Sequence, residues 1–263
     1  MKVIYRDVLI GADPELFLKG SNGHFVSSID KIGGTKYYPR PIDEFGNSVQ
    51  EDNVAVEYNI TPAKTRDAFI FSNQKVLSYL EEHVKKLGLS FSKDAAAFFP
   101  DEELQDYRAL TFGCEPDYNA WTGNENPPIE VSEEFRNLRS AGGHIHVGYE
   151  NPNRVASDEL VKAMDVFLGC QSIKYDEDTL RRKLYGKAGS CRYKPYGVEY
   201  RTLSGFWIHS PEMQGWAFDQ THKAIDFLNK GNRIDDKHAE IVSQCVNNAD
   251  DSALSFIERK YGS

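Results

Sequence analysis

The chain has 263 residues, enough to bury a sizeable core, and its 40% hydrophobic, 12% aromatic and 27% charged residues make an ordinary globular balance. A net charge of −9 argues against a general binder of nucleic acid or membrane surfaces, but leaves room for a local basic pocket facing a phosphate-bearing small molecule. The absence of any run of 18 apolar residues, a charged start at Met1–Asp7, and four scattered cysteines (Cys114, Cys170, Cys191, Cys245) without a CxxC pair predict a soluble, cytoplasmic protein with reduced thiols.

The first predicted strand runs through Asp13-Pro14-Glu15-Leu16-Phe17-Leu18, with Asp13 and Glu15 on one face and Leu16 and Leu18 on the other. Pro14 suits an edge or a bulge. A hairpin follows around Ser21-Asn22-Gly23, then a loop rich in Gly, Pro and Tyr over 33–48, of a length that is often functional. The next strand, Val54–Ile60, puts Val54, Val56, Tyr58 and Ile60 on its apolar face and Glu57 and Asn59 on the other, just after Asp52. A glutamate inside such a strand is informative, because it is depleted there without a partner.

An apolar stripe of helical period predicts a helix over 65–87, closed by Gly88. Strands are expected at 89–98 and 107–114, the latter leading into the polar-aromatic turn Gly113–Trp121 and an insertion-like segment over 122–134. Then comes Ala141-Gly142-Gly143-His144-Ile145-His146-Val147-Gly148. On a strand its two imidazoles share one face while Ile145 and Val147 anchor the other. The glycine pair lets another backbone or a ligand approach closely. Taken alone, the His-x-His pair equally fits two hydrogen-bonded surface histidines.

A helix is predicted near 155–171, followed by the most basic stretch, read as a loop: Arg181, Arg182, Lys183, Lys187, Arg192 and Lys194, interleaved with tyrosines and glycines. In an acidic chain this concentration points to an anion site. It runs into the strand Gly197–Ser204, with Glu199 and Arg201 on one face, and helices fill 211–230, 234–247 and 252–260. His24, His83, His209, His222 and His238 fall in no constellation. The fold class expected is α+β: one domain over 1–263, a mostly antiparallel sheet with helices packed on one face.

Asp13, Glu15, Glu57, His144, His146, Glu199 and Arg201 thus lie on strands whose alternation aims them one way. Several carboxylates facing one cavity repel each other unless cations sit between them, and oxygen-rich sites with a histidine suit Mg²⁺ or Mn²⁺. With arginines and lysines nearby for a polyphosphate, the set fits phosphoryl transfer.

The motifs Gly11–Leu18, Gly142-Gly143-His144-Ile145-His146, Tyr185-Gly186, Gly189, Arg192, Lys194-Pro195-Tyr196-Gly197 and Val198-Glu199-Tyr200-Arg201 occur in the order seen in the glutamine synthetase-like carboxylate–amine ligases. The chain most resembles their phage-type amidoligases, the phiEco32-like amidoligase-type 2 group, over about residues 8–207. That resemblance implies a glutamine synthetase catalytic-domain-like fold and an ATP-dependent ligase. It would join a carboxylate substrate to an amine substrate (amino acid, peptide or protein) through an acyl phosphate, in the host cytoplasm if phage-encoded. By motif it implies Asp13, Glu15, Glu57, His144 and Glu199 as ligands of Mg²⁺ or Mn²⁺. His146 would lie toward the nucleotide, Arg192 and Arg201 would neutralise phosphate charge, and Lys187 and Lys194 would assist in binding. Asp52 matches an acidic position before the middle strand, and Asp117 is placed near the amine or a cation. Two departures are visible: Asp13 stands where the larger family has Glu, and no amino-terminal β-grasp domain is evident. Rival readings are a non-catalytic nucleotide- or anion-binding module of the same fold, and a cupin-like metal dioxygenase built on His144, His146 and Glu150, which lacks the motif's flanking glycines.

Overall fold

In the computed structural model, which describes residues 4–110, 116–127 and 133–263, the chain enters the sheet at Leu9–Ala12 (β1) and re-enters it at Glu15–Leu16 (β2). Pro14, having no N–H to donate, sits in the break between them. The expected single strand over 13–18 therefore begins earlier and is interrupted, with Leu18–Lys19 (β3) pairing into a separate small sheet with Phe25–Val26 (β4). The loop over 33–48 contains the short strand Arg40–Pro41 (β5), and Ser48–Asp52 (β6) and Ala55–Asn59 (β7) form the next hairpin. Later strands are Ser90–Phe91 (β8), Ala96–Phe98 (β9), Tyr118–Asn119 (β10), Asn124–Glu125 (β11), Leu138–Ser140 (β12), Ile145–Gly148 (β13), Ser190–Lys194 (β14) and Gly197–Tyr200 (β15).

The principal sheet runs β1-β13-β15-β14-β10-β11 and a second runs β2-β7-β6-β5. The two are continuous through residues 9–16, which bond on both edges. On one side Asp13 and Glu15 donate to His144 O (3.4 Å) and Gly142 O (2.8 Å). On the other, Tyr58 and Ile60 donate to Pro14 O (3.2 Å) and Ala12 O (3.1 Å). Every strand pairing among the described residues is antiparallel, and the class is α+β as expected.

Helices cover the apolar face. Arg66–Lys86 (α1) starts at Thr65, whose hydroxyl accepts from the Ala68 N–H, and ends before Gly88 at φ +72°. The segment 107–110, expected as a strand, is a short helix, Tyr107–Leu110 (α2), and the rest of that expectation (111–114) lies outside the described residues, as does Cys114. The buried Arg139 guanidinium donates to Ala109 O (2.9 Å) and to the Asn53 side chain, a long-range tie that a local pattern does not announce.

The helix expected over 155–171 is Arg154–Met164 (α3), a π turn over Asp165–Gly169, and Cys170–Ser172 (α4). The basic stretch is not one loop. Arg181 and Arg182 belong to Thr179–Leu184 (α5) and are buried, donating to Thr202 O (2.8 Å) and pairing with Asp176 (3.0 Å) respectively, whereas Arg192 and Lys194 lie on β14. Pro211–Asn229 (α6), Ala239–Asn248 (α7) and Asp251–Tyr261 (α8) complete the layer. One apolar cluster joins Ile10, Val56, Tyr58, Ile145, Val147, Val198 and Tyr200 of the sheets to Phe69, Leu160, Met164, Phe218 and Ile257 of the helices. No helix among the described residues is long and apolar enough to cross a membrane.

The glycine pair before β13 is a packing requirement. A Cβ on Gly143 would lie 2.1 Å from Ser204 O and 2.6 Å from Trp207 Nε1, and the Trp207 indole donates to Gly143 O at 3.1 Å. Gly143→Ala should therefore cost at least about 2 kcal/mol in urea unfolding, because backbone must shift. Gly205→Ala, whose Cβ would meet neighbours only at 3.5 Å and beyond, should stay within about 0.5 kcal/mol.

Candidate active site

Antiparallel register builds the site as a row. Gly11 faces His146 across β1 and β13, His146 faces Glu199 across β13 and β15, and Glu199 faces Arg192 across β15 and β14. Directly opposed residues share a sheet face, as do residues two apart, so Asp13, His144, Arg201 and Lys194 join that face while Ile145, Val147, Val198 and Tyr200 enter the core. The glycine before the row gives His144 its place: a Cβ on Gly142 would lie 2.0 Å from His144 Nε2.

Asp13, His146 and Glu199 each bring one ligand atom within 4.8 Å of the others. Asp13 Oδ1 approaches His146 Nε2 to 2.8 Å, yet these two atoms and Glu199 Oε2 are buried without a properly aligned hydrogen bond. Buried carboxylate oxygens and a ring nitrogen converging at this spacing with unfavourable hydrogen-bond geometry are what a hard divalent cation would satisfy, and two carboxylates with one imidazole suit Mg²⁺ or Mn²⁺. Burial alone would raise the Asp13 pKa, but the two histidines hold it well below the usual range. Asp13 in turn raises the His146 pKa against the effect of burial, and the Tyr196 hydroxyl meets His146 Nδ1. His144 sits behind, with Nδ1 3.5 Å from Asp13 and 3.7 Å from Glu199. Burial and the neighbouring Arg201 push its pKa down to about 4, so it is neutral at pH 7 and accepts an N–H from Arg201 at 3.4 Å.

A second group forms where β2, β7 and β6 meet. Glu15 is directly opposite Glu57, and ligand atoms of Glu15, Glu57 and Asp52 again lie within 4.8 Å. Gln50, opposite Glu57 on the other side, donates to it at 2.8 Å, and Gly142 N–H donates to Glu15. Burial, then the charge of Asp52, raises the Glu15 pKa to about 7. Burial and then the Asp13, Asp52 and Glu15 charges push Glu57 well above its usual value. Such mutual repulsion marks a place that a divalent cation relieves.

Three cations close on Glu199. Arg201 contacts its Oε1, Arg192 lies 3.6 Å from the same atom, and Lys194 Nζ lies 2.9 Å from Oε2. Against burial, the Arg201 charge lowers the Glu199 pKa to about 2. Arg201, Arg192 and Lys194 thus stand side by side on one face, where their charges can meet an anion.

Of the five residues expected as metal ligands, Asp13 and Glu199 fall in the first group and Glu15 and Glu57 in the second, while His144 lies beside the first, to which His146 brings a ring nitrogen. Asp117 is 3.3 Å from Arg201 Nε, an anchor for that cation. Lys187 is exposed and makes no ion pair with the site among the described residues. Glu150, needed by the dioxygenase reading, is exposed and belongs to neither group. Sequence reasoning passed over Gln50, whose signal was the register opposite Glu57. Tyr196, named within the Lys194–Gly197 motif, was given no role there, because its contact with His146 arises only when β13 and β15 pair.

No curated protein matches the chain in sequence. A solved structure titled "GmaS/ADP complex-Conformation 1" superposes with 11% identity and a TM-score of 0.40, covering 98% of this chain and 69% of that one, a likeness too loose to argue from. Residues 132–242, under half of the chain, match the family model described as "Phage phiEco32-like COOH.NH2 ligase-type 2". That span holds His144, His146, Arg192, Lys194, Glu199 and Arg201, while Asp13, Glu15, Asp52 and Glu57 lie outside it. Over the half of the site that contributes both histidines and the cation row, the chain carries the sequence pattern of the phage phiEco32-like carboxylate–amine ligases of type 2.

Proposed function

We propose that the chain is an ATP-dependent carboxylate–amine ligase, forming an amide or peptide bond through an acyl phosphate with Mg²⁺ or Mn²⁺. The observation that carries this reading is the meeting, on one sheet face, of two oxygen-rich ligand groups and a row of three cations. The family pattern over 132–242 supports the class of reaction.

Asp13, His146 and Glu199 would hold one cation, and Glu15, Asp52 and Glu57 a second. Bound there, such ions neutralise the charge of a polyphosphate and of the phosphoryl group in flight. The substrate carboxylate displaces ADP from the γ-phosphorus, and the amine then displaces phosphate from the acyl carbon. Arg201, Arg192 and Lys194 are positioned to bind phosphoryl oxygens, Asp117 and the neutral His144 hold Arg201 in place, and Tyr196 orients the His146 ring. Preorganised charge of this kind supplies most of the rate in phosphoryl transfer.

ADP release should be measured with Mg²⁺ or Mn²⁺ across a panel of amino acids, amines and short peptides. Turnover is expected only when a carboxylate and an amine are both present. Glu199→Gln should lower it by at least about 100-fold, and Lys187→Ala should leave it within about twofold. ATP binding that depends on metal but yields no turnover with any pair would favour the binding module, and no metal-dependent binding at all would sink the ligase reading.

Binding of Mn²⁺ should also depend on pH in a defined direction. Glu15 has its pKa raised to about 7, so below that pH it holds a proton that a cation must displace, and the raised pKa of Glu57 acts in the same direction. Titration by electron paramagnetic resonance should show affinity falling by about tenfold per pH unit as pH drops below 7. An affinity flat from pH 5 to 8 would overturn the assignment of this group as a cation site, the range following from the usual carboxylate values.

A further inference from the structure

Asp165 is fully buried, and no cation among the described residues pairs with it. Its Oδ2 accepts from Trp121 Nε1 at 2.7 Å and its Oδ1 from the Tyr200 hydroxyl at 2.8 Å. The Thr202 hydroxyl lies 3.3 Å from Oδ1 and 3.0 Å from Lys187 O, its single proton serving both. The Gly189 N–H also reaches the carboxylate. These donors come from three separate segments, two of which carry the cation row on the opposite face of the sheet, while the third carries the acid that anchors it. Trp121 ends the turn that bears Asp117. Gly189 directly precedes the strand that bears Arg192 and Lys194. Tyr200 and Thr202 flank Arg201 and follow Glu199.

The surroundings are built for this meeting. Asp165 opens the π turn Asp165–Gly169, and a Cβ on Gly169 would lie 2.7 Å from the Tyr200 hydroxyl, so glycine leaves that hydroxyl its path. Gly189, at φ +82°, packs where a Cβ would lie 2.7 Å from Asn119 Oδ1 and 2.8 Å from Trp121 Cδ1. Ala120 N–H donates to Gly189 O at 2.9 Å, locking the two turns together. Arg201 N–H donates to Ser190 O at 2.9 Å. A buried carboxylate without a counter-charge is costly, and its pKa is pushed up to about 7 by burial. An apolar residue in an unbroken helix would stabilise this core more.

We propose that Asp165 is a positioning residue: from the helical side of the sheet it fixes together the three segments that present Asp117, Arg192 with Lys194, and Glu199 with Arg201. Its kinetic consequence rests on the ligase reading, whereas its structural consequence does not.

The test compares Asp165→Asn and Trp121→Phe with Leu254→Ala, a core truncation on α8, at temperatures where all three are folded by circular dichroism. Two readouts are taken on each. In hydrogen exchange, Asp165→Asn should speed the amides of 117–121, 189–194 and 198–202 and leave β6, β7 and α1 unchanged, whereas Leu254→Ala should leave those three segments protected. In kinetics, Asp165→Asn should lower kcat/KM by at least about tenfold through misplacement of the cations, and Leu254→Ala by less than about twofold. If Asp165→Asn matches Leu254→Ala in both readouts, Asp165 is a core polar residue and no more. If the wild-type chain shows no nucleotide turnover, the ligase reading fails and the exchange map alone decides the role of Asp165.

Discussion

Residues 9–16 are hydrogen-bonded along both edges, to β13 and Gly142 on one side and to β7 on the other, and the rest of the site depends on that constraint. Because both edges are occupied, the segment cannot slip by one residue without turning every side chain to the wrong face. Asp13 is thereby held against the histidine row, and Glu15 against Glu57. Pro14, lacking a donor, tolerates the break between β1 and β2 that lets the two acids serve different groups.

The electrostatics follow from this placement. Carboxylates gathered by backbone pairing cannot separate to relieve their repulsion, so Glu15 and Glu57 gain protons or a cation. Along the row the same problem is solved differently, since Arg201 keeps Glu199 ionised and His146 keeps Asp13 ionised. His144 is the neutral member, and its small lining at Gly142 allows it to sit between two acids and an arginine. The two halves of the surface thus differ in charge state before any ligand arrives.

On the far side of the sheet, polar residues embedded in the core hold strands to helices. Asp165 meets three segments, Tyr58 donates to Asn73 at 2.8 Å, and Arg181 clamps the backbone after β15. Such contacts contribute geometry more than stability, since an apolar replacement of either partner pair would pack well. Cys170, Cys191 and Cys245 are free thiols buried in the same layer and take no part in the site.

Alternation by itself assigned Asp13, Glu15, Glu57, His144, His146, Glu199 and Arg201 to exposed faces of strands, because a side-chain period of two is a local property of extended backbone. The amphipathic stripes of α1, α6, α7 and α8 were legible for the same reason. Three things were not. The division of the acids into two groups depends on which strands become neighbours, and pairing between residues some 130 apart in sequence leaves no local trace. The split of the basic stretch into buried anchors (Arg181, Arg182) and presented cations (Arg192, Lys194) depends on where α5 docks. The strand expected at 107–114 became in part the helix α2, whose carbonyls at Arg108 and Ala109 accept from the distant side chains of Asn53 and Arg139. Asp165 stood in plain view, an acid inside the apolar run Met164-Asp165-Val166-Phe167-Leu168, but only the tertiary structure brings Trp121, Gly189 and Tyr200 to it. Local chemistry in the sequence determined which faces carry charge. Long-range packing decided which charges meet, because loop-closing contacts are set by the sum of the core and not by any one segment.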